Sequence, residues 1–208
     1  MTSEHRDYGW RSAEMNHSHA YLLPPVTRRL DALGCRTARV VDLGCGNGYV
    51  TAKLHALGHD VVGIDAAPDG IAIAREAYPE LRFEVASVYD DDLATIVGTD
   101  VDIVVCLEVI EHLYAPKKLL EQAYRILRPG GAILLSTPYH GYLKNLALSV
   151  MNGWDRHFSV GWEGGHIKFF SEKTLGEMAR EVGFRSVRFE GVGRAPLLWK
   201  SMILHAEK

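Results

Sequence analysis

The chain has 208 residues, 47% of them apolar and 24% charged, with a formal net charge of −3, which is the size of one ordinary domain and the composition of a soluble globular chain. A charge balance this near neutral, with a pI near 6.4, argues against a protein whose main work is to hold nucleic acid or an anionic membrane surface. Three scattered cysteines, Cys35, Cys45 and Cys106, cannot frame a disulfide scaffold or a CxxC metal knuckle. The opening MTSEHRDYGW mixes charges without an apolar segment, unlike a secretory leader, and no stretch reaches the ~18 uninterrupted apolar residues of a membrane span. The expectation is a reduced, cytoplasmic domain without an integral membrane segment, in which 20 glycines are the feature to place.

In chain order, residues 38–43 (ARVVDL) read as a buried strand that runs into Gly44-Cys45-Gly46-Asn47-Gly48. Residues 49–57 have helical character and stop at Gly58, a natural C′ residue. Residues 60–65 (DVVGID) form a second strand, and Pro68 opens a helix that ends near Tyr78-Pro79. Residues 82–86 and 101–107 are the third and fourth strands. Pro116 starts a helix to Leu127, closed by Arg128-Pro129-Gly130-Gly131, and residues 132–137 (AILLST) are the fifth strand. Residues 171–182 make a helix capped by Ser171 and ended by Gly183, before two closing strands at 185–190 and 197–205. Apolar strands alternating with helices imply βαβ units and an α/β, Rossmann-like doubly wound sheet covered on both faces. The expected organisation is an N-terminal arm with lid helices over 1–37 and one domain over 38–208, interrupted by an insert at 138–170.

A glycine-rich turn between the first strand and first helix lets backbone approach a ligand at the positive end of that helix. A dinucleotide fingerprint needs its third glycine three residues after the second. Here Gly44, Gly46 and Gly48 are evenly spaced and position 49 is Tyr, which sets back a nucleotide-dependent dehydrogenase. The stretch Val41 to Gly48, with Asp65 ending the second strand, resembles the first motifs of class I S-adenosylmethionine (SAM) dependent methyltransferases, and the resemblance runs over residues 38–137. It implies that sheet with an antiparallel final strand, and SAM as cofactor. Asp65 would accept the ribose hydroxyl protons, a role suited to an acceptor-only carboxylate, and Asp42 would face the cationic methionyl end. Gly44, Cys45, Gly46, Asn47, Gly48, Ala66 and Leu107 would line the cofactor, with Ser87 and Val88 at the adenine. Many members of the family carry Asp where Ser87 stands.

The fourth strand ends in Cys106-Leu107-Glu108-Val109-Ile110-Glu111-His112, at the carboxyl edge where open α/β sheets bind ligands. Glu108, Glu111 and His112 are spaced i, i+3, i+4, so one helical turn would set all three on one face. Two carboxylates and an imidazole could hold Mg²⁺, Mn²⁺ or Zn²⁺. With His166 beside Gly164-Gly165 and before Lys168-Phe169, this Glu-x-x-Glu-His pattern resembles the ubiquinone-biosynthesis O-methyltransferases and is shared with small-RNA 2′-O-methyltransferases. The resemblance implies Glu108, Glu111, His112 and His166 as ligands of a divalent cation. It leaves open a metal-free alternative in which His112 is a general base, since an imidazole pKa of ~6.5 suits proton abstraction near neutrality. His140 is a third candidate for catalysis beside Glu111 and His112.

The insert carries Tyr139, Tyr142, Trp154, Phe158, Trp162, Phe169 and Phe170, which suggests an aromatic-lined cavity for a small, ring-bearing or apolar acceptor. Residues 142–151 have helical periodicity and suit a lid or a peripheral contact with lipid or a partner. The resemblance implies an arm that folds over the cofactor or acceptor, in which Trp10, His17 and His19 are candidates to close the site, with a disordered or merely packing arm as the alternative for each. The expected activity is SAM-dependent methyl transfer to a hydroxyl oxygen. An N-methyltransferase, an RNA 2′-O-methyltransferase and a non-catalytic SAM-binding module are the alternatives, and the sequence does not set the oligomeric state.

Overall fold

The computed structural model describes residues 9–32, 34, 37–89, 91–158, 161 and 164–208; Cys35 and Trp162, named above, lie outside them. Seven strands form one sheet: β1 (Arg39–Leu43), β2 (Asp60–Asp65), β3 (Arg82–Val85), β4 (Val101–Leu107), β5 (Leu127–Pro138), β6 (Arg185–Val192) and β7 (Ser201–Glu207). Their order is β3-β2-β1-β4-β5-β7-β6. The pairs among β1 to β5 are parallel, and β7 runs antiparallel to both neighbours. The chain winds outward from β1 through β2 to β3, then returns to place β4 on the other side of β1. That reversal is the switch point where doubly wound sheets open a crevice.

Helix α1 (His19–Ala32) precedes β1, and α2 (Tyr49–Ala56), α3 (Pro68–Ala77) and α4 (Leu93–Val97) follow β1, β2 and β3. Helix α5 (Pro116–Ile126) links β4 to β5; α6 (Tyr142–Val150), α7 (Trp154–His157) and α8 (Glu172–Val182) lie between β5 and β6. The sheet is buried on both faces. One core joins Val41, Leu43, Val104 and Ile133 to Leu119 and Ala123 of α5 and Leu175 of α8. The other sets Val40, Ile103 and Val105 against Leu22, Val26 and Leu30 of α1 and Val50 and Leu54 of α2. Helix α1 is thus a packed layer over the sheet.

The expected strands and helices are present, with four differences. The Arg128-Pro129-Gly130-Gly131 stretch belongs to β5 and does not close α5. Leu127 pairs with Val101, the register shifts, and Ala132 pairs with Ile103. Arg128 Nε donates to Asp102 at 2.5 Å, and the Gly130 amide donates to the Lys208 carbonyl, so the bulge is anchored on both sides. Helix α4, capped by the Asp92 side chain, is too short for its periodicity to be read. The closing strand begins at Ser201, because residues 193–200 form turns with Leu197 at φ +68°. After β4 the chain makes a 3₁₀ turn, Ile110–His112, where a helical face was expected.

Candidate active site

The loop after β1 is built on left-handed glycines, with φ +83° at Gly44, +52° at Gly46 and +78° at Gly48. A side chain at Gly44 would collide with Val109, and one at Gly46 with the Trp10 ring. Both positions therefore need glycine for the turn and for close approach. Asp65 closes the loop from β2. Its Oδ2 accepts from the Gly46 amide and its Oδ1 from the Ala67 amide, each at 2.8 Å. Burial raises its pKa, opposed by the Ala67, Gly46 and Ala66 amides. A carboxylate offers about four acceptor positions, so Asp65 retains capacity for ribose hydroxyls.

Asp42 lies beneath this loop and is 2% exposed. Thr51 Oγ1 donates to it at 2.6 Å, while burial pushes its pKa up to about 7. Cys45 is buried against Ile71, Ala74 and Phe83. The Asn47 amide turns to the arm, with Nδ2 donating to the Ser12 and Glu14 carbonyls at 2.8 and 2.9 Å. The arm is further held by Tyr78, whose hydroxyl donates to the Ala13 carbonyl. Trp10 fills the slot between Gly46 and Gly70, and His19 stacks on Tyr49. Ser87 and Val88 follow β3 at the same edge, where Ser87 Oγ accepts from the Tyr89 amide; Ala66 and Leu107 sit at the ends of β2 and β4.

Beyond β4 the structure separates the four expected ligands into three and one. Glu111, His112 and His166 each present a ligand atom within 4.8 Å of the others. Glu111 is 0% exposed. Its Oε2 accepts from Thr137 Oγ1 at 3.1 Å, whereas Oε1 is buried without a hydrogen-bond partner among the described residues, 3.9 Å from His166 Nε2. Burial first, then the nearby Glu108, drives its pKa upward. His112 Nδ1–H donates to the Gly165 carbonyl at 3.3 Å, so Nε2 is the lone-pair nitrogen of the neutral ring. Its pKa is lowered by burial, and that of His166 falls to about 4, by desolvation and then by His112. The amides of Ile167 and Lys168 donate to the Glu111 carbonyl and bring the insert to this turn. A buried carboxylate oxygen lacking a donor, faced by two neutral imidazoles, is a donor set that a divalent cation fits.

Glu108 stands apart because its backbone is left-handed, φ +56°, and precedes the 3₁₀ turn. Its side chain crosses to β5 and β7, where Oε1 accepts from Ser136 Oγ at 2.7 Å and Oε2 from Ser201 Oγ at 3.3 Å. Burial moves its pKa up to about 7, against the two serine bonds. Ser136, Thr137 and Ser201 went unnoticed in the sequence, although Ser-Thr ending an otherwise apolar strand was a usable signal. His140 stacks on Phe158 and meets Phe169 edge-on, and its Nε2 is buried without a partner among the described residues. Desolvation drops its pKa to about 4. Helix α6 beside it buries none of its residues, and Tyr142 and Val150 are each 78% exposed.

A family model described as "Methyltransferase domain" matches residues 10–188. A ubiquinone biosynthesis O-methyltransferase of Xanthomonas oryzae pv. oryzae is 35% identical over 136 residues, 62% of this chain and 55% of that protein. One of Cereibacter sphaeroides is 31% identical over 167 residues, 77% of this chain and 66% of that protein. The matched stretch thus spans between about half and two thirds of these relatives. A SAM-dependent methyltransferase structure from Archaeoglobus fulgidus superposes with a TM-score of 0.65 at 18% identity, over 90% of this chain and 93% of the other, a likeness of fold.

Proposed function

This chain belongs to the methyltransferase-domain family, and from that premise we propose that it transfers the methyl group of SAM to a hydroxyl oxygen of a small, ring-bearing or apolar molecule, assisted by a divalent cation. The observation that carries the oxygen-directed, cation-assisted reading is the Glu111–His112–His166 cluster, in which Glu111 Oε1 has no donor among the described residues, set at the switch point beside the glycine loop. The names of the curated relatives support the same acceptor chemistry. In this reading residues 38–208 are the transferase unit, 138–170 its acceptor insert and 1–37 the arm.

SAM supplies an electrophilic methyl on a sulfonium, and the protein's part is orientation and proton removal. Gly44, Gly46 and Gly48 offer backbone to the cofactor with Cys45 and Asn47, Asp65 takes the ribose, and Ala66, Leu107, Ser87 and Val88 border it. Asp42 adds negative charge beneath the cationic end. A divalent cation would draw the acceptor oxygen in and ease its ionisation, held by Glu111, His112 and His166, while Glu108 stays tied to Ser136 and Ser201. His112 and His140, both kept neutral near pH 7, are bases within the same crevice. From the insert, Phe158 and Phe169 pack against His140.

The test is turnover with SAM and a panel of catechol-bearing and phenolic acceptors, read as a one-methyl mass gain located on oxygen. Chelation should abolish transfer and Mg²⁺ or Mn²⁺ restore it, with Glu111→Ala or His112→Ala lowering turnover by about 10²-fold or more. Transfer indifferent to chelation would remove the cation; methyl found on nitrogen would overturn the oxygen reading.

A further inference from the structure

The insert carries a positive charge that the site described so far does not use. Helix α6 is tied back to the carboxyl end of β5: Lys144 Nζ donates to the Tyr139 carbonyl at 3.0 Å, and Asn145 Nδ2 donates to the His140 carbonyl at 3.4 Å. The Tyr139 amide donates to the Lys200 carbonyl, which joins the same point to the 193–200 turn and its exposed Arg194. Tyr139 directly follows Pro138, the last residue of β5, and Ser136 of that strand pairs with Leu107 at the end of β4. The Lys144 ammonium is thereby anchored on the crevice edge of the sheet. It is near enough to Glu108, His140, His157 and His166 to act on the charge of each.

This half-buried ammonium lacks a carboxylate partner. Among the described residues neither Lys144 nor Arg194 forms a salt bridge, and Glu108, which acts on Lys144, gives its oxygens to Ser136 and Ser201. Burial first, then Arg194, lowers the pKa of Lys144. An ammonium has three donors; the Tyr139 carbonyl takes one and two are left. His140 Nε2, buried without a partner among the described residues, belongs to a ring that meets Phe158 and Phe169 at centroid distances of 6.1 and 5.0 Å. Aromatic walls with a few convergent polar groups recognise a ring and fix its orientation, and an unpaired ammonium selects an oxyanion. We propose that Lys144, backed by Arg194, selects acceptors that carry a carboxylate, so that the methyl acceptor is a hydroxylated aromatic acid. The inference rests on the small-acceptor reading above and names the substrate class within it.

The test compares three catechols that differ in one substituent, 3,4-dihydroxybenzoate, its methyl ester and 3,4-dihydroxybenzylamine, as methyl acceptors of the full chain with SAM. A hydrogen bond to a charged group is worth about tenfold or more in binding, so kcat/KM for the acid should exceed that for the ester by such a factor, carried mainly by KM. Lys144→Met keeps the apolar stem and should abolish the preference while leaving kcat/KM for the ester unchanged. Lys144→Glu should turn the preference toward the amine, an inversion that a general loss of packing would not produce. Arg194→Met, at an exposed position, should reduce the preference by about fivefold or less. Equal use of acid and ester by the native chain, or a preference that survives in Lys144→Met, would overturn the selection. No transfer to any of the three by a chain that binds SAM would instead remove the small-acceptor reading, and the selection with it.

Discussion

Asp42 and Glu108 are carboxylates held in the interior by hydroxyls, Thr51 for the first and Ser136 with Ser201 for the second. Burial outweighs those bonds and sets both at about 7. An unfolded Asp titrates at ~3.9, so between that pH and about 7 the folded chain keeps a proton on Asp42 that the unfolded chain has lost. By linkage, the stability contribution of Asp42 is fully present below ~3.9 and is lost as pH rises through about 7. The imidazoles of His19, His140 and His166, lowered to about 4, act oppositely: their contribution is present above ~6.5 and lost as pH falls toward 4. A difference between two proteins isolates the carboxylate. In thermal melts from pH 4 to 8, the melting temperature of the native chain minus that of Asp42→Asn should fall as pH rises and level off above about 7. A pH-independent gap would show that Asp42 is ionised throughout.

The glycine loop was legible because its chemistry is local. Three left-handed residues at alternate positions can only be glycine without strain, and Asp65 must end the next strand to reach the Gly46 amide. What the arm does was not legible, because Asn47 grips the Ser12 and Glu14 carbonyls, and every residue has a carbonyl. The post-β4 turn misled for a related reason. Spacing of i, i+3, i+4 speaks for one face only if the backbone is helical from its first member, and Glu108 at φ +56° is not. The arm contact has a direct consequence. Asn47→Ala removes two part-buried hydrogen bonds, about 1–3 kcal/mol of arm attachment, and should speed tryptic cleavage at exposed Arg11 by roughly tenfold or more while the remainder of the chain stays resistant. Unchanged cleavage would mean that Trp10 in its Gly46–Gly70 slot holds the arm by itself.

At the scale of the whole molecule, the order β3-β2-β1-β4-β5-β7-β6 sets the Gly44 loop and the Glu108–His112 turn side by side, on adjacent strands β1 and β4. The alternation of strands and helices put both motifs at the carboxyl ends of strands in one sheet, but left the strand order, and with it their adjacency, open. It could not foretell that β7, antiparallel beside β5, brings Ser201 to Glu108 across 93 residues, since long-range pairing leaves no local pattern. Among the described residues no helix is long and apolar enough to cross a membrane, and the exposed apolar residues of α6 belong to the insert that would receive the acceptor. The cofactor end of the crevice is the part on which every proposed step depends. Isothermal titration of the full chain with S-adenosylhomocysteine, the demethylated product, tests it most directly. The native chain should bind one equivalent saturably, and Asp65→Ala, losing hydrogen bonds to a charged acceptor, should weaken binding by about tenfold or more; no heat of binding with the native chain, or equal affinity in Asp65→Ala, would contradict it.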